Sequence, residues 1–291
     1  MIDLSPIFSF DDQLKRFLLE DVGSGDVTTR SVFSDEVRRR KASATIIAES
    51  EGVFCGGPFG SRILSFADPL GRFDAISDGQ HYIAGERLVV MEGALESLLL
   101  CERVILNLLK HLSGISSLTS RYVDQVRLLR NSARPLRITG TRKTLPGLRD
   151  FQRYAIRAGG GDDHRMRLDD GILIKDNHIA ASESLHGMIA RVRRQAPHPL
   201  RIEMEADTPE QALEACRLRV DIILLDNMSP ELMERLIPEL RAIHPDVLLE
   251  VSGGITLDQI PSLARLDVDV LSVGALTHSA PDASMRLDLL S

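Results

Sequence analysis

The charged and glycine residues that could do chemistry are concentrated between residues 137 and 178. This stretch contains nine Lys or Arg residues and six Asp residues, a net charge of +3 in a chain whose formal net charge is −7. A local cationic segment in an acidic protein favours a site for a small anion over a nucleic-acid surface. The three glycines at 159–161 would let the backbone approach a ligand closely, because they lack a Cβ. The segment 141–144, Thr-Arg-Lys-Thr, precedes the turn signal Pro146-Gly147.

The composition is that of a soluble globular protein, with 43% hydrophobic and 26% charged residues. A sequence pI near 5.7 argues against non-specific nucleic-acid binding. Cys55, Cys101 and Cys216 are far apart and show no disulfide or metal-binding spacing, so a reducing cytoplasm is the expected compartment. The first residues lack the basic and apolar regions of a signal peptide. No apolar run approaches the ~20 residues of a membrane span.

The first 92 residues predict helices and a small antiparallel sheet, an α+β pattern. Helical spacing covers residues 10–22, and residues 23–29 indicate a turn in which Asp26 could also cap a helix. Strands are predicted at residues 42–50, 72–76 and 87–91.

Leucine and isoleucine at helical spacing predict a long helix over residues 94–112. Ser113-Gly114 is expected to interrupt it before a second helix over residues 117–129. We therefore expect an N-terminal domain at residues 1–114, with residues 278–291 packing back on it, and a second domain at residues 115–277.

The pattern changes after residue 130 to six apolar, strand-like stretches separated by helical patterns. The strands are predicted at residues 136–139, 172–174, 202–204, 222–225, 248–251 and 270–273. Strands that alternate with helices, such as those predicted at 209–217 and 230–241, form βαβ units with parallel pairing. An α/β fold with a closed or nearly closed β/α barrel of about six strands fits best. A doubly wound open sheet is the alternative.

Polar residues or glycines follow each predicted strand. They are Arg142 and Lys143, Lys175 with Asp176-Asn177-His178, Glu205, Asp226 with Asn227, Ser252-Gly253-Gly254, and Gly274-Ala275. In parallel β/α barrels the catalytic groups lie at the carboxyl ends of the strands, and the last two loops often bind phosphate. The pattern predicts an enzyme site for two anions with a polyol between them. The glycine loops would bind phosphate, Glu205 and Asp226 would bind hydroxyls or a metal, and the cations would bind the second anion.

These residues belong to longer motifs. The motifs are Thr141-Arg142-Lys143-Thr144-x-Pro146-Gly147, Gly159-Gly160-Gly161-x-x-His164-Arg165, Leu173-Ile174-Lys175-Asp176-Asn177-His178, Leu225-Asp226-Asn227, Ser252-Gly253-Gly254-Ile255 and Ser272-Val273-Gly274-Ala275-Leu276-Thr277, with Gly25-Asp26-Val27-Thr28-Thr29 and Glu102-Arg103 upstream. Over nearly the whole chain they resemble the quinolinate phosphoribosyltransferase family, also called nicotinate-nucleotide pyrophosphorylase (carboxylating). The resemblance implies an N-terminal α/β sandwich, an irregular TIM-like β/α barrel, and a homodimer, possibly assembled further into a hexamer, whose subunits complete each other's sites. The implied reaction of de novo NAD biosynthesis converts quinolinate and phosphoribosyl pyrophosphate to nicotinate mononucleotide, pyrophosphate and CO₂, with Mg²⁺ and no tightly bound organic cofactor.

The resemblance also implies residue roles. Quinolinate would contact Arg142, His164, Arg165 and Lys175, with Arg103 supplied by the neighbouring subunit, and Thr141 would also bind substrate. Phosphoribosyl pyrophosphate would contact Lys143, Glu205 and Asp226, and its 5′-phosphate would bind the backbone of Ser252, Gly253, Gly254, Val273, Gly274 and Ala275. The implied catalytic residues are Lys143, Lys175, Glu205 and Asp226, and the implied Mg²⁺ ligands are Glu205 and Asp226.

Several alternatives stay open at this point. His178 is as consistent with a cap as with a ligand contact, and Glu203 shares a strand face with the favoured Glu205. Either Lys175 or another cation could protonate the carbanion formed on decarboxylation. The rival functions are a paralogous protein associated with molybdenum transport and a non-catalytic phosphosugar-binding barrel. The intact Lys175–His178 motif and the paired carboxylates Glu205 and Asp226 favour the enzyme.

Overall fold

The computed structural model describes residues 10–130 and 134–290. Residues 1–9, on which the expectation of no signal peptide depends, lie outside the described residues. Within the described ranges, no helix combines the length and the apolar character needed to cross a membrane. Contacts divide the chain into two compact units. The first comprises Met1–Ser120, Asp150–Gly160 and Ala280–Ser291, and the second comprises Arg121–Arg149 and Gly161–Ser279.

The helices and strands are numbered in chain order. The earlier elements are α1 (Asp11–Val22), α2 (Val27–Val32), α3 (Asp35–Arg39), β1 (Lys41–Ala48), β2 (Gly52–Val53), α4 (Gly57–Ala67), β3 (Arg72–Ala75), β4 (His81–Tyr82), β5 (Arg87–Ala94) and α5 (Leu95–Leu129). The later elements are β6 (Arg137–Thr139), α6 (Arg149–Ala158), β7 (Ile172–Ile174), α7 (Asp176–Ala180), α8 (Leu185–Gln195), β8 (Ile202–Ala206), α9 (Pro209–Arg217), β9 (Ile222–Asp226), α10 (Pro230–Ile243), β10 (Leu248–Ser252), α11 (Ile260–Leu263), β11 (Val270–Ser272), α12 (Ala275–His278) and β12 (Met285–Leu290).

The first unit is built on a four-stranded antiparallel sheet in the order β12-β1-β5-β3, with β2 and β4 forming a separate pair. Its helical core contains the buried rings of Phe10, Phe59 and Phe151, whose centroids lie 4.6 to 5.2 Å apart. The tilted and edge-on ring pairs are the arrangements that aromatic quadrupoles favour. Sheet and helices form the α+β unit that the sequence predicts.

The predicted interruption at Ser113-Gly114 is wrong, because α5 is one helix of 35 residues. Gly114 is required by packing. A Cβ at this position would lie 2.1 Å from the carbonyl oxygen of Pro281, so only glycine admits the neighbouring backbone. Ser113 keeps its helical conformation and uses its hydroxyl to bind the backbone of Cys55. A serine-glycine pair can therefore mark a close contact inside a helix as well as a break.

The turn predicted over residues 23–29 ends earlier than expected, because α2 begins at Val27. Asp26 is the N-cap, and its side chain accepts a hydrogen bond from the backbone N–H of Thr29 at 2.9 Å. The alternative role of Asp26 as a helix cap is therefore correct.

The second unit contains six strands in the order β6-β11-β10-β9-β8-β7, and each neighbouring pair is parallel. From β7 to β11, each strand is the neighbour of the next strand along the chain. β11 also pairs with β6. This is the order of a β/α barrel that is open between β6 and β7, where Asp162 forms an isolated parallel bridge with Thr139. The predicted fold class is confirmed, and the doubly wound alternative is wrong because the strand order contains no reversal.

Candidate functional site

Lys175 lies directly after β7 and forms an ion pair with Glu205 of β8, with 2.9 Å between Nζ and Oε2. The Glu205 side chain is 10% exposed, whereas that of Lys175 is 47% exposed. The register of β7 and β8 brings the two strand ends together, since Ile174 pairs with Met204. An ammonium group has three donors, and Glu205 uses one of them. A ligand anion can therefore approach Lys175 from solvent.

Three carboxylates meet at the carboxyl ends of β8 and β9. Oxygen atoms of Glu205, Asp207 and Asp226 all lie within 4.8 Å of one another. Glu205 is nearly buried, and Asp207 is exposed. Carboxylate oxygens are the protein ligands that Mg²⁺ prefers, usually one or two of them together with substrate phosphates. The donor set fits the ion expected from the sequence.

Asn227 follows Asp226 and adopts a left-handed conformation with φ 53°. Its side-chain amide donates a hydrogen bond to Asp226 Oδ2 at 2.6 Å, and its backbone N–H donates to the carbonyl oxygen of Ser252 at 3.0 Å. Asn is one of the few residues with a side chain that tolerate this conformation. The Asp226 carboxylate is thereby tied to the loop that follows β10.

The glycines of that loop differ in their surroundings. Gly253 has φ 101°, and a Cβ there would lie 2.2 Å from Asn227 Oδ1 and 2.8 Å from the Asn227 backbone nitrogen. Gly254 has φ 59°, and a Cβ there would meet nothing within 4 Å. Close packing thus requires a glycine at 253, while the backbone conformation alone favours one at 254.

The Thr141–Lys143 loop and the loop after β11 contact each other. Thr277 Oγ1 donates to the carbonyl oxygen of Lys143 at 2.7 Å, and the Lys143 N–H donates to Thr141 Oγ1 at 3.1 Å. A Cβ on Gly274 would lie 3.4 Å from Lys143 Cδ, so the lysine stem passes along the face of that glycine. These contacts position Lys143 beside the second glycine loop.

The His164 imidazole contacts two carboxylates on the inner face of the barrel. Its Nε2 is 3.2 Å from Glu250 Oε1 and 3.6 Å from Glu203 Oε2. Glu250 also accepts a hydrogen bond from Ser272, whose hydroxyl lies 2.9 Å from that of Thr139. We call Thr139, His164, Glu203, Glu250 and Ser272 the inner network. Glu203 precedes Glu205 by two residues on β8, and Glu250 precedes Ser252 by two residues on β10. Residues two apart on a strand share a face, so the network lies beside Glu205 and Ser252, nearer the amino-terminal ends of the strands.

Burial and hydrogen bonding shift the pKa values of two groups in the inner network, His164 and Glu203. Burial alone would lower the pKa of His164, but hydrogen bonds to Glu203 and Glu250 outweigh it and raise that pKa to about 9. Burial raises the pKa of Glu203. The backbone N–H of Arg165 points at His164 Nδ1, at 2.8 Å.

Two guanidinium groups lie near the inner network. Burial and the positive charge of Arg142 lower the pKa of Arg165. Arg142 Nε is buried and has no hydrogen-bond partner among the described residues. Two neighbouring guanidiniums favour an anionic ligand, because each can bind a carboxylate through two parallel hydrogen bonds.

A cavity of about 410 Å³ lies at the opposite, amino-terminal end of the strands. Its lining includes residues at or next to the first positions of the strands, namely Arg137, Ile172, Arg201, Ile222, Leu248 and Val270. The cavity also reaches the inner network, since His164, Glu203 and Glu250 line it. Glu205, Asp207 and Asp226 do not line this cavity, whereas His164 and Arg165 do.

The structure also shows the surroundings of Arg103 and His178. Arg103 belongs to the first unit, where its side chain is 59% exposed and lies 3.9 Å from Glu102. His178 is a cap, since its Nδ1 accepts the backbone N–H of Lys175 at 2.9 Å. Asp207 and Glu250 were missed, and Asn227 was named beside Asp226 without a role. The alternation of acids at 203, 205 and 207 could have indicated Asp207, whereas Glu250 lies between Leu249 and Val251 with no partner visible in the sequence.

Known proteins resemble this chain over its full length. Residues 26–113 match the quinolinate phosphoribosyl transferase N-terminal domain, and residues 115–288 match the C-terminal domain. The probable nicotinate-nucleotide pyrophosphorylase [carboxylating] of Synechocystis is 37% identical over 99% of this chain and 95% of its own length. The protein of that name from Methanocaldococcus jannaschii is 40% identical over 95% of this chain and 96% of its own. The crystal structure of NadC from Streptococcus pyogenes is 38% identical, with a TM-score of 0.90 and 100% coverage of both chains. The chain belongs to the quinolinate phosphoribosyltransferase family.

Proposed function

We propose that the protein transfers a phosphoribosyl group from phosphoribosyl pyrophosphate to quinolinate, with decarboxylation, in NAD biosynthesis. The products are nicotinate mononucleotide, pyrophosphate and CO₂. The observation that carries this conclusion is the Lys175–Glu205 ion pair beside Asp226 at the carboxyl ends of three barrel strands. A cation beside two carboxylates suits substrates that bring anionic groups and a ribose on which positive charge develops. The names of the curated relatives describe the same reaction.

Quinolinate is a dianion with adjacent carboxylates, and we assign its binding to the cationic side of the site. Arg142 and Arg165 lie close enough for the charge of one to affect the pKa of the other. A dianion between them would neutralise both, and Lys175 supplies a third positive charge. His164 and Thr141 complete the assigned contacts. Arg forks bind carboxylates in a bidentate manner, whereas Lys acts as a point charge.

Phosphoribosyl pyrophosphate is assigned to the two glycine loops and to Lys143. The 5′-phosphate would bind backbone N–H groups of the loops at Ser252, Gly253, Gly254, Val273, Gly274 and Ala275. Loops rich in glycine form such anion-binding concavities. The closeness of the Lys143 stem to Gly274 supports this assignment, because the lysine side chain runs beside the second loop.

Mg²⁺ is assigned to Glu205 and Asp226, and Asp207 is close enough to act as a third ligand. When bound, the ion would neutralise negative charge on the pyrophosphate leaving group. The ion pair to Lys175 uses one oxygen of Glu205 and leaves the other available to a ligand.

The assigned chemistry needs no covalent enzyme intermediate. The ring nitrogen of quinolinate attacks the anomeric carbon of ribose as pyrophosphate leaves. Glu205 and Asp226 stabilise the positive charge that develops on the sugar. The carboxylate next to the new pyridinium nitrogen then departs as CO₂, and its bonding electron pair stays on the ring carbon as a carbanion that the adjacent positive nitrogen stabilises. We assign Lys175 to stabilise or protonate the resulting carbanion.

A homodimer with shared sites is part of this proposal. Arg103 is half-exposed, and its long contact to Glu102 is a weak surface pair. That leaves its guanidinium available to a quinolinate bound by a second copy of the chain. Further assembly, for example into a hexamer, would leave this pairing intact.

A reducing compartment, the cytoplasm, also stays part of the proposal. Cys55, Cys101 and Cys216 are free and buried. Burial raises the pKa of Cys101 to about 12 and that of Cys216 to about 11, so both thiols are poor nucleophiles. Fractionation of cells that express the tagged chain would test the location.

The activity is tested by incubating the purified protein with quinolinate, phosphoribosyl pyrophosphate and Mg²⁺, and measuring pyrophosphate and CO₂ release. We expect both products in equal amounts, with nicotinate mononucleotide identified by chromatography. Nicotinate in place of quinolinate is the control substrate. Absence of both products under these conditions would refute the proposed function.

A further inference from the structure

The inner network is buried inside the barrel, and the chemistry assigned above does not use its two carboxylates. Glu203 and Glu250 are 4% and 3% exposed, and Thr139 and Ser272 are each 3% exposed. Placing carboxylates in a barrel interior is costly unless charges and hydrogen bonds compensate for it. An apolar pair of similar volume would serve packing alone at less cost. The position of this network is therefore a reason to look for a role at the site.

The network joins regular strands to an irregular segment. Its strand members come from β6, β8, β10 and β11, and parallel pairing fixes their positions. His164 lies in a segment without helix or strand. The backbone bridge of Asp162 to Thr139 holds the start of this segment, and the His164 imidazole is a side-chain group through which the barrel interior can fix it.

His164 has a partner at each of its two ring nitrogens. Nε2 faces Glu250 and Glu203, and Nδ1 accepts the backbone N–H of Arg165. Arg165 donates in turn to the carbonyl oxygen of Gly171 at 3.3 Å. The imidazole thus connects the two buried carboxylates to the backbone of the neighbouring arginine.

We propose that Glu203 and Glu250 are positioning residues, which anchor His164, and through it Arg165, where the two side chains meet the carboxylates of quinolinate. This inference rests on the proposed function. Oε1 of Glu203 is buried and has no hydrogen-bond partner among the described residues, and its charge attracts the Arg165 guanidinium. Glu203 therefore interacts with both His164 and Arg165. A metal ion among His164, Glu203 and Glu250 is disfavoured, because Arg137, Arg165 and Arg201 line the adjoining cavity.

The test compares Glu250→Gln and Glu203→Gln with a matched control. Asp269→Asn alters another buried carboxylate of the second unit, which pairs with Arg241 at 2.8 Å and is 7% exposed, but does not belong to the inner network. A misplacement of about 1 Å can cost ~100-fold in rate, so we expect kcat/KM for quinolinate to fall roughly tenfold or more in each Glu variant. The KM for phosphoribosyl pyrophosphate should stay within about twofold of wild type. The control should lower the melting temperature and leave both KM values unchanged.

Two results would overturn the inference. One is a folded Glu250→Gln protein with a wild-type quinolinate KM and kcat. The other is an equal loss for both substrates, which would indicate general distortion. Should Glu250→Gln not fold, Glu203→Gln provides the same readout, because it keeps the Ser272–Glu250 contact. Wild-type protein without activity would refute the proposed function, whereas active wild type with unaffected variants would refute only the positioning role.

Discussion

Replacing Lys175 by methionine should separate the contribution of this residue to activity from its contribution to stability. Methionine keeps much of the aliphatic length of lysine and removes the charge. In the folded protein the change leaves the Glu205 carboxylate, which is 10% exposed, without its partner at 2.9 Å.

The expected loss of stability is modest. Leaving a nearly buried polar group unsatisfied costs about 1–3 kcal/mol. Domains typically have a free energy of unfolding of about 5–15 kcal/mol, so the variant should remain folded. The expected loss of activity is larger. Removing one partner of a buried charge pair costs roughly 2–5 kcal/mol in binding, and each ~1.4 kcal/mol is a factor of ten. We expect kcat/KM for quinolinate to fall by roughly 30-fold to several thousandfold.

Two further variants give the experiment its controls. Lys41→Met breaks an ion pair of similar length, 2.8 Å to Glu92, in the first unit, where both partners are more exposed. It should change the free energy of unfolding by less than about 1 kcal/mol and leave kinetics unchanged. The double variant Lys175→Met with Glu205→Gln removes the unpaired charge, so it should be more stable than Lys175→Met and equally inactive.

The measurements are steady-state kinetics with both substrates and unfolding in urea. They are made on wild type, Lys175→Met, Lys41→Met and the double variant. A folded Lys175→Met protein that retains kcat/KM for quinolinate within a few-fold of wild type would show that the ammonium does not meet the substrate. A double variant less stable than Lys175→Met would show that Glu205 is stabilising without its partner, contrary to the electrostatic argument.

The site supports four other predictions. A folded-state pKa of about 9 at His164, above its ordinary 6.5, means that the inner network loses stabilisation as pH rises from about 6.5 through 9, and the free energy of unfolding should fall over that window in urea titrations; a flat profile would contradict the raised pKa of His164. Gly253→Ala should raise the KM for phosphoribosyl pyrophosphate, because the new Cβ collides with Asn227, whereas Gly85→Ala, at another positive-φ glycine with open space and outside the site, should not; equal kinetics for the pair would exclude the close-packing argument. Nicotinate should not be turned over, since a monoanion leaves desolvated cations unpaired, and comparable rates would refute this. Inactive Arg103→Ala and Lys175→Ala proteins refolded together should regain roughly a quarter of wild-type activity from random pairing, and no recovery in heterodimers confirmed by native mass spectrometry would rule out shared sites.

The barrel strands were predictable because each is a short apolar run with a polar residue at its end. The prediction for β7, residues 172–174, agrees with the structure at both ends, and the helix predicted at 209–217 does so as well. Buried parallel strands have a strong hydrophobic signal, and the residues that follow them stand out by contrast.

The failures have physical causes of a different kind. Gly114 looked like a helix break because sequence alone cannot show that the Pro281 backbone approaches that helix from more than 160 residues away. Glu250 was missed because a charge between two apolar residues has no partner visible in sequence. Its partners, His164 and Ser272, come from other parts of the chain. Long-range contacts of this type become visible only once the strands are paired.

The pairing of β1 with β12 affects how the protein can be made. Residues 43–48 of β1 pair with residues 285–290 of β12, which leave the ribosome about 240 residues later. At roughly 5–20 residues per second, that interval is on the order of tens of seconds. During it one edge of β1 has no strand partner, and an unpaired edge can recruit strands from other nascent chains. The yield of native protein should therefore depend on translation speed and on chaperones that cover this edge.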